Sequence, residues 1–276
     1  MLIINEKTEH LILPNRQETL PDGSVVGVHD VNGHKRYFSR KPAPLGAFLR
    51  FARPFSELAP IIPRSKWPQL IKEQALARRR VSDFQNFPPH DQDGLPSCWR
   101  NGSAHAATTC RVIQGLPYVE LSSNSLCPEI SYNSGGYEGD SAEALKDYGA
   151  CSTKTWPNNS TKRLTGAAID AERARHRAIE LYYLDEDNAE KRFAQFATAC
   201  LMTFAQALAF NRWSHVISGG DLIQLGNDRF GGKNRNNWGP WGDNNDFGQP
   251  GYAVFEEGGW TPSSGVVFRT MTMSEE

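Results

Sequence analysis

The spacing of apolar residues changes near residue 201, and this change limits the fold more than any other feature of the sequence. Before it, the pattern predicts helices over 98–114, 141–149, 165–184 and 188–200. After it, short apolar or alternating runs predict strands in 201–210, 215–226 and 251–259, and an Asn/Gly/Trp-rich stretch at 231–251 predicts a long loop. A run of helices followed by a run of antiparallel strands is typical of an α+β fold.

The first 63 residues predict an N-terminal arm and not a domain of their own. Apolar and polar residues alternate over 26–31, and Tyr37-Phe38 follow a turn at Asn32-Gly33, which together predict a β-hairpin. The next stretch is rich in proline, which favours extended chain over helix. We therefore divide the chain into an arm at 1–63 and one domain at 64–276.

Charge and cysteine content exclude several functional classes. The 30 basic and 31 acidic residues leave no basic excess to follow a nucleic-acid backbone, so we expect no nucleic-acid partner. No signal peptide or membrane span is predicted, and we expect a protein of the cytoplasm or of a virus particle. The five cysteines are widely spaced and lack any Cys-x-x-Cys, which argues against a disulfide framework and a metal site.

The segment DQDGLPSCWRNGSAHAATTC, at 91–110, places Cys98 where a helix begins. A cysteine reacts as its thiolate, and a helix N-terminus with a nearby imidazolium lowers the thiol pKa. Gln92 lies in the preceding loop, where its side-chain amide and the Cys98 backbone N–H are placed to donate to an oxyanion. A buried structural cysteine is the alternative. His105 is two turns along the same helix and is assigned a packing or surface role, and His90 is expected to be solvated.

Further motifs follow this cysteine in a fixed order. They are Gln92 and Cys98-Trp99, then NSGGY at 133–137, then His215 at the head of a predicted strand, then Asn236 in NNWGPWG. From about residue 64 to 257, this order resembles the papain-like cysteine peptidases. The resemblance implies a two-lobed fold, in which a helical lobe packs against an antiparallel, barrel-like sheet and the site lies in the cleft between them.

The resemblance also implies a catalytic role for each of four residues. Cys98 is the nucleophile, and His215 is the general base and acid. Asn236 orients the imidazole, and Gln92 is the oxyanion donor. The implied function is hydrolysis of a peptide or protein substrate through a thioester, with no cofactor, no metal and no membrane partner.

Three more residues are implied to bind substrate or to support the site. The main chain of Gly135 and Gly136 is expected to pair with an extended substrate, as the paired glycines of the family do. Trp238 is expected to shield the hydrogen bond between Asn236 and His215 from water.

The sequence departs from the family at two places. Leu95 and Asn133 stand near the positions of a disulfide that the family usually has, in agreement with a reducing compartment. Arg100 and Asn101 replace the small and aromatic residues that normally follow Cys-Trp. An inactive papain-like module is therefore the alternative, serving as a structural or interaction protein, for example in a virus particle. The arm is shorter than a family pro-segment and less helical, so we expect it to be permanent and to dock on the domain or on an assembly partner.

Overall fold

The structure is a computed structural model and describes residues 2–31, 33–44, 46–131, 133–241 and 250–273. The helices in these ranges are α1 (Trp67–Ala77), α2 (Cys98–Ile113), α3 (Glu138–Asp147), α4 (Ala167–Arg175) and α5 (Ala189–Leu201). The first strands are β1 (Ile3–Ile4), β2 (Arg16–Thr19), β3 (Val25–Val31), β4 (His34–Phe38) and β5 (Arg53–Pro54). The later strands are β6 (Ala178–Tyr183), β7 (Ala205–Phe210), β8 (His215–Gly226), β9 (Arg229–Arg235), β10 (Tyr252–Glu256) and β11 (Ser264–Met271).

Eight strands form one mixed sheet in the order β1-β10-β9-β8-β7-β11-β6-β5. The pairs from β10 to β6 are antiparallel, whereas β1 and β5 are short strands that pair in parallel at the two edges. Helices precede most of this sheet in the chain, so the predicted α+β class is confirmed. None of the helices in the described ranges combines the length and the apolar composition needed to cross a bilayer.

The sheet is buried on both faces. Along β7, Ala205, Ala207 and Ala209 belong to the same core cluster as residues of α2 and α3. The alternate residues Leu208 and Phe210 belong to the cluster that includes the aromatic residues of α5. Because successive side chains of a strand point to opposite faces, helices pack on each side of the sheet.

The arm contains the predicted hairpin. β3 and β4 pair in an antiparallel register that brings His29 opposite Arg36, and β2 adds a third strand to this small sheet. Asn32, half of the predicted turn, lies outside the described residues. Phe38 and Phe55 are buried in the same cluster as the sheet and α5, so the arm shares a core with the domain. The boundary at residue 63 stays a prediction.

Several sequence predictions need correction. The helix predicted over 165–184 ends at Arg175, and the next residues form β6 because they pair with β11 and β5. The loop predicted at 231–251 begins as part of β9, and residues 242–249 of it lie outside the described residues. His90 is 1% exposed and not solvated, because its ring stacks on that of His105 inside the molecule.

Candidate active site

Cys98 is the first residue of α2, and a glycine brings this helix close to β8. A Cβ atom at Gly102 would lie 2.7 Å from Cγ1 of Val216, so a side chain there would push the helix away from the strand. The Cys98 side chain lies against the backbone of Val216, which follows His215 directly. The close packing therefore brings the thiol to the end of the strand that carries the histidine.

The polar residues after Cys98-Trp99 are accommodated inside the protein. The Arg100 side chain donates from Nη2 to the carbonyl oxygens of Cys127, at 3.2 Å, and Ile130, at 2.7 Å. The Asn101 amide donates to the carbonyl and hydroxyl oxygens of Ser97, one turn earlier, at 3.1 and 3.0 Å. These two departures from the family pattern thus support the helix start and the loop that faces it.

His215 and Asn236 are joined by a hydrogen bond at the adjacent ends of two paired strands. His215 begins β8, Asn236 follows β9, and Nε2 of the imidazole lies 2.8 Å from Oδ1 of the amide. The opposite ring nitrogen, Nδ1, has no hydrogen-bond partner among the described residues. The Asn236 contact thus leaves Nδ1 as the ring nitrogen that is free for proton transfer.

Aromatic rings enclose the imidazole. The ring centroids of Trp213 and Trp238 lie 4.4 and 5.3 Å from that of His215, and the ring of Phe38, from the arm, lies 5.8 Å away. Trp238 is 1% exposed and lies beside the imidazole; its shielding role stays a prediction. The low local polarity strengthens the hydrogen bond to Asn236.

Burial favours the neutral forms of both reactive groups in this state. It lowers the pKa of His215 to about 4, although the side chains of Asn236 and Asn237 act in the opposite direction. It also raises the pKa of the Cys98 thiol, against contacts with the Ser39 hydroxyl and nearby main chain. Both shifts act against a thiolate–imidazolium pair while the site is closed.

The main chain of the arm lies along the predicted substrate-binding glycines. The Lys41 N–H donates to the carbonyl oxygen of Gly136 at 2.8 Å, and the Gly136 N–H donates to that of Ser39 at 3.2 Å. These bonds form a parallel bridge between Arg40 and Gly136. A Cβ atom at Gly135 would collide with the Ser39 carbonyl, and one at Gly136 would lie 2.6 Å from the ring of Trp99. Gly135 is therefore needed for the close approach of the arm, and Gly136 for the packing against Trp99.

The arm also engages the nucleophile and the predicted oxyanion donor. The Ser39 hydroxyl lies 3.5 Å from Sγ of Cys98, while no hydrogen bond between described residues links this sulfur to His215. Nε2 of Gln92 donates to the Tyr37 carbonyl at 3.1 Å and to the Leu95 carbonyl at 3.0 Å. The Tyr37 carbonyl of the arm thus accepts a hydrogen bond from the Gln92 amide, which was predicted to donate to the substrate oxygen.

Sequence reasoning missed some residues of this site. Ser39 was missed because no pattern in the arm indicates a contact with Cys98. Asn237 donates from Nδ2 to the Cys98 carbonyl at 3.1 Å, and its N–H donates to Oδ1 of Asn236 at 2.8 Å. Asn237 was missed although it directly follows Asn236 in the NNWGPWG motif.

The described residues contain no group of three or more histidine, cysteine or acidic side chains suited to a metal ion. All five cysteines are buried free thiols, and neither Leu95 nor Asn133 offers a sulfur for a disulfide.

Solved structures that are similar to this chain are cysteine proteases. The ragweed pollen allergen Amb a 11, in its proform, matches with a TM-score of 0.58 and 15% identity, over 85% of this chain and 75% of its own. Digestive procathepsin L 3 of Tenebrio molitor larval midgut matches with a TM-score of 0.51 and 16% identity, over 66% of each chain. Xylellain from Xylella fastidiosa matches with a TM-score of 0.50 and 16% identity, over 67% of this chain and 84% of its own.

The chain has the papain-like fold. The two-lobed architecture that the motif order implied is therefore confirmed. No family model matches the sequence, and no curated protein matches it either. The structural match to the Amb a 11 proform covers 85% of this chain, which is a longer stretch than residues 64–276. The matched region therefore includes part of the arm.

Proposed function

We propose that this chain is a cysteine peptidase of the papain-like type that its own N-terminal arm holds closed. The observation that carries the proposal is the 2.8 Å hydrogen bond between His215 and Asn236, beside a thiol at the start of α2. This bond engages Nε2 and leaves Nδ1 of the imidazole without a hydrogen-bond partner among the described residues. Nδ1 is therefore the nitrogen that can exchange a proton with the thiol. The substrate is a peptide or protein, and no cofactor takes part.

The reaction begins when the segment of the arm at residues 37–41 moves out of the cleft, while the rest of the arm stays packed on the domain. His215 takes the proton of the Cys98 thiol, and the thiolate attacks the carbonyl carbon of a peptide bond. The Cys98 N–H and the Gln92 amide, released from the Tyr37 carbonyl, donate to the oxygen as its charge develops. The imidazolium then gives its proton to the leaving amine as the C–N bond breaks. Water, deprotonated by His215, hydrolyses the thioester and restores the thiol.

Opening changes the charge state of the site in the direction that catalysis needs. Burial is the main cause of the low pKa of His215 and the raised pKa of Cys98, so admission of water relaxes both shifts. The partial positive charge at the α2 N-terminus and the nearby imidazolium then favour the thiolate. The arm thus keeps the nucleophile unreactive through desolvation as well as through steric cover.

A second candidate function is a structural or interaction module with an inactive site, for example in a virus particle. The specific observation in its favour is that Cys98, His215 and Gln92 are each 0% exposed. The amide of Gln92 also has two internal acceptors, Tyr37 and Leu95, and needs no substrate oxygen. A module of this kind has no need to open.

Labelling with a thiol-directed epoxide separates the two candidates. The full-length protein and its Arg40→Ala variant are incubated with the epoxide, and the modified cysteine is identified by peptide mapping. Arg40→Ala removes an ion pair that fastens the arm, so we expect Cys98 to be labelled selectively and at least about tenfold faster than in the unmodified protein. Arg50→Ala is the matched control, because Arg50 is also in the arm but pairs with Glu143 at the surface.

The result that contradicts the peptidase proposal is equally specific. If the Arg40→Ala variant keeps its fold by circular dichroism and Cys98 reacts no faster than Cys110 or Cys151, the site lacks an activated thiol. That outcome supports the structural module.

A further inference from the structure

The side chain of Arg40 occupies a buried polar pocket next to the candidate site. Its Nε and Nη2 atoms lie 3.2 and 3.3 Å from the two carboxylate oxygens of Glu138, which is a bidentate arrangement. Nη2 also donates to the Ser264 hydroxyl at 3.0 Å, and Nη1 donates to Oδ1 of Asn211. The exposed fractions of the Arg40 and Glu138 side chains are 4% and 0%.

The carboxylate of Glu138 makes this pocket selective for a cation. Glu138 is the first residue of α3, and its oxygens accept from Arg40 and from the Ser264 hydroxyl. A buried carboxylate is costly unless a positive charge compensates it. When this segment of the arm leaves the cleft, Arg40 leaves the pocket, and a cationic side chain of a substrate can take its place beside Glu138.

The acceptors also match the shape of a guanidinium group. The carboxylate receives two parallel N–H groups, and the hydroxyl and amide oxygens receive others from the same planar group. A lysine ammonium carries three donors at one point and has no such fork. The pocket therefore suits arginine better than lysine.

The position of the pocket relative to Cys98 follows from the main chain. Arg40 lies opposite Gly136, and its neighbour Ser39 contacts the Cys98 sulfur. An extended substrate that runs antiparallel to Gly136 also places one residue opposite this glycine, with its side chain on the same face. In the arm, the residue beside Cys98 (Ser39) precedes the residue opposite Gly136 (Arg40). A substrate of the opposite direction has the reverse order, so its residue opposite Gly136 directly precedes its residue beside Cys98.

We propose that this pocket binds an arginine side chain of the substrate, at the residue immediately before the one whose carbonyl Cys98 attacks. This inference rests on the proposed peptidase function for its biological meaning, but the pocket itself is testable without catalysis. Arg40 of the arm then mimics the preferred substrate side chain, on a main chain that runs in the opposite direction to the substrate.

The binding test uses the full-length Arg40→Ala variant and N-acetyl-arginine methylamide as the probe. We expect saturable binding by calorimetry and a rise of several degrees in melting temperature, and no effect from the matched citrulline compound, which has the same shape without the charge. The double variant Arg40→Ala/Glu138→Gln should lose the response to arginine. If Arg40→Ala does not fold, Arg40→Gln serves in its place. Equal responses to arginine and citrulline, or none to either, would overturn the inference.

The substrate test uses fluorogenic peptides that differ only at the second residue before the cleaved bond. With Arg40→Ala, we expect kcat/KM to be at least about tenfold higher for arginine than for citrulline or leucine at that position, and Glu138→Gln to remove the preference. Cleavage without an arginine preference sinks the pocket inference and leaves the peptidase function standing. Arginine binding without cleavage of any peptide supports the pocket and contradicts the peptidase function.

Discussion

Asn236 and His215 have different tasks in the proposed reaction, although one hydrogen bond joins them. In the Arg40→Ala background, we expect His215→Ala to abolish both peptide turnover and the reaction of Cys98 with alkylating agents at low pH, because the imidazolium stabilises the thiolate. Asn236→Ala should lower turnover and leave the low-pH thiol reactivity, because the amide orients the ring and carries no charge. Steady-state kinetics and the rate of Cys98 alkylation against pH measure the two effects.

An equal loss of low-pH reactivity in both variants would contradict this division of roles. Ser214→Ala provides a neighbouring control, because the Ser214 side chain is exposed and, among the described residues, makes only a 3.4 Å hydrogen bond to the Asn211 carbonyl. It should leave both the turnover and the pH dependence of the thiol unchanged.

Among the individual residues of the site, the sequence indicated those that belong to motifs. It gave no indication of residues whose contacts form only when the chain folds. Cys98, His215 and Asn236 could be named because their order along the chain is characteristic. Ser39 and Glu138 could not, since each acquires its role from a partner that is distant in sequence. The contact between Ser39 and Cys98 spans 59 residues and leaves no periodic signal in either segment.

The stack between His90 and His105 connects the loop before Cys98 to α2. The ring centroids lie 4.9 Å apart with planes inclined by 5°. Burial lowers the pKa of His90 to about 4 and holds that of His105 well below its ordinary value, and the charge of Arg235 acts in the same direction. The Asn101 side chain acts in the opposite direction on the pKa of His90 but does not offset burial.

The sign of the resulting pH dependence follows from proton binding. Because the unfolded histidine titrates near pH 6.5, the unfolded chain binds more protons than the folded one between about pH 6.5 and 4. The contribution of this histidine to the free energy of unfolding is therefore fully present above about pH 6.5, and the free energy of unfolding falls as the pH is lowered towards 4. We expect His90→Gln to reduce the steepness of this fall, measured as melting temperature against pH.

His34→Gln is the control for this prediction, because the His34 side chain is 61% exposed. Its melting temperature should follow the unmodified protein at every pH. If His90→Gln also follows the unmodified profile, the stacked pair is not a source of acid lability.

Elements were predicted where their local pattern agrees with their packing. α5 is one such case: Asn188 caps its N-terminus by accepting from the N–H groups of Glu190 and Lys191, and its aromatic residues face the core. β9 was missed because it is polar, and the buried charge of Lys233 is compensated by Asp221 on the neighbouring strand, at 3.6 Å. Such a strand is defined by its partners.

The molecule as a whole should unfold as one unit, because the arm contributes to the core of the domain. Phe38 is 2% exposed and packs against Trp213 and Trp238 as well as His215. We expect Phe38→Ala to lower the free energy of unfolding by about 3–5 kcal/mol, through lost burial and the cavity that remains. Urea unfolding followed by tryptophan fluorescence and by circular dichroism should give coincident transitions.

Val25→Ala is the matched control in the same hairpin, since Val25 is 62% exposed and its truncation should change stability by less than about 0.5 kcal/mol. An early fluorescence transition that precedes the loss of circular dichroism would show instead that the arm detaches before the domain unfolds.

The large sheet begins and ends with strands from the arm. β1 covers the outer edge of β10, and β5 covers the outer edge of β6, at opposite ends of the eight-strand order. An uncovered edge strand presents a row of unpaired N–H and C=O groups that recruit strands from other molecules. Excision of residues 1–54 would therefore do more than open the cleft, because it would expose β10 and β6 as two unpaired edge strands on the same molecule. Self-association through these edges would then limit the lifetime of the arm-free form in solution.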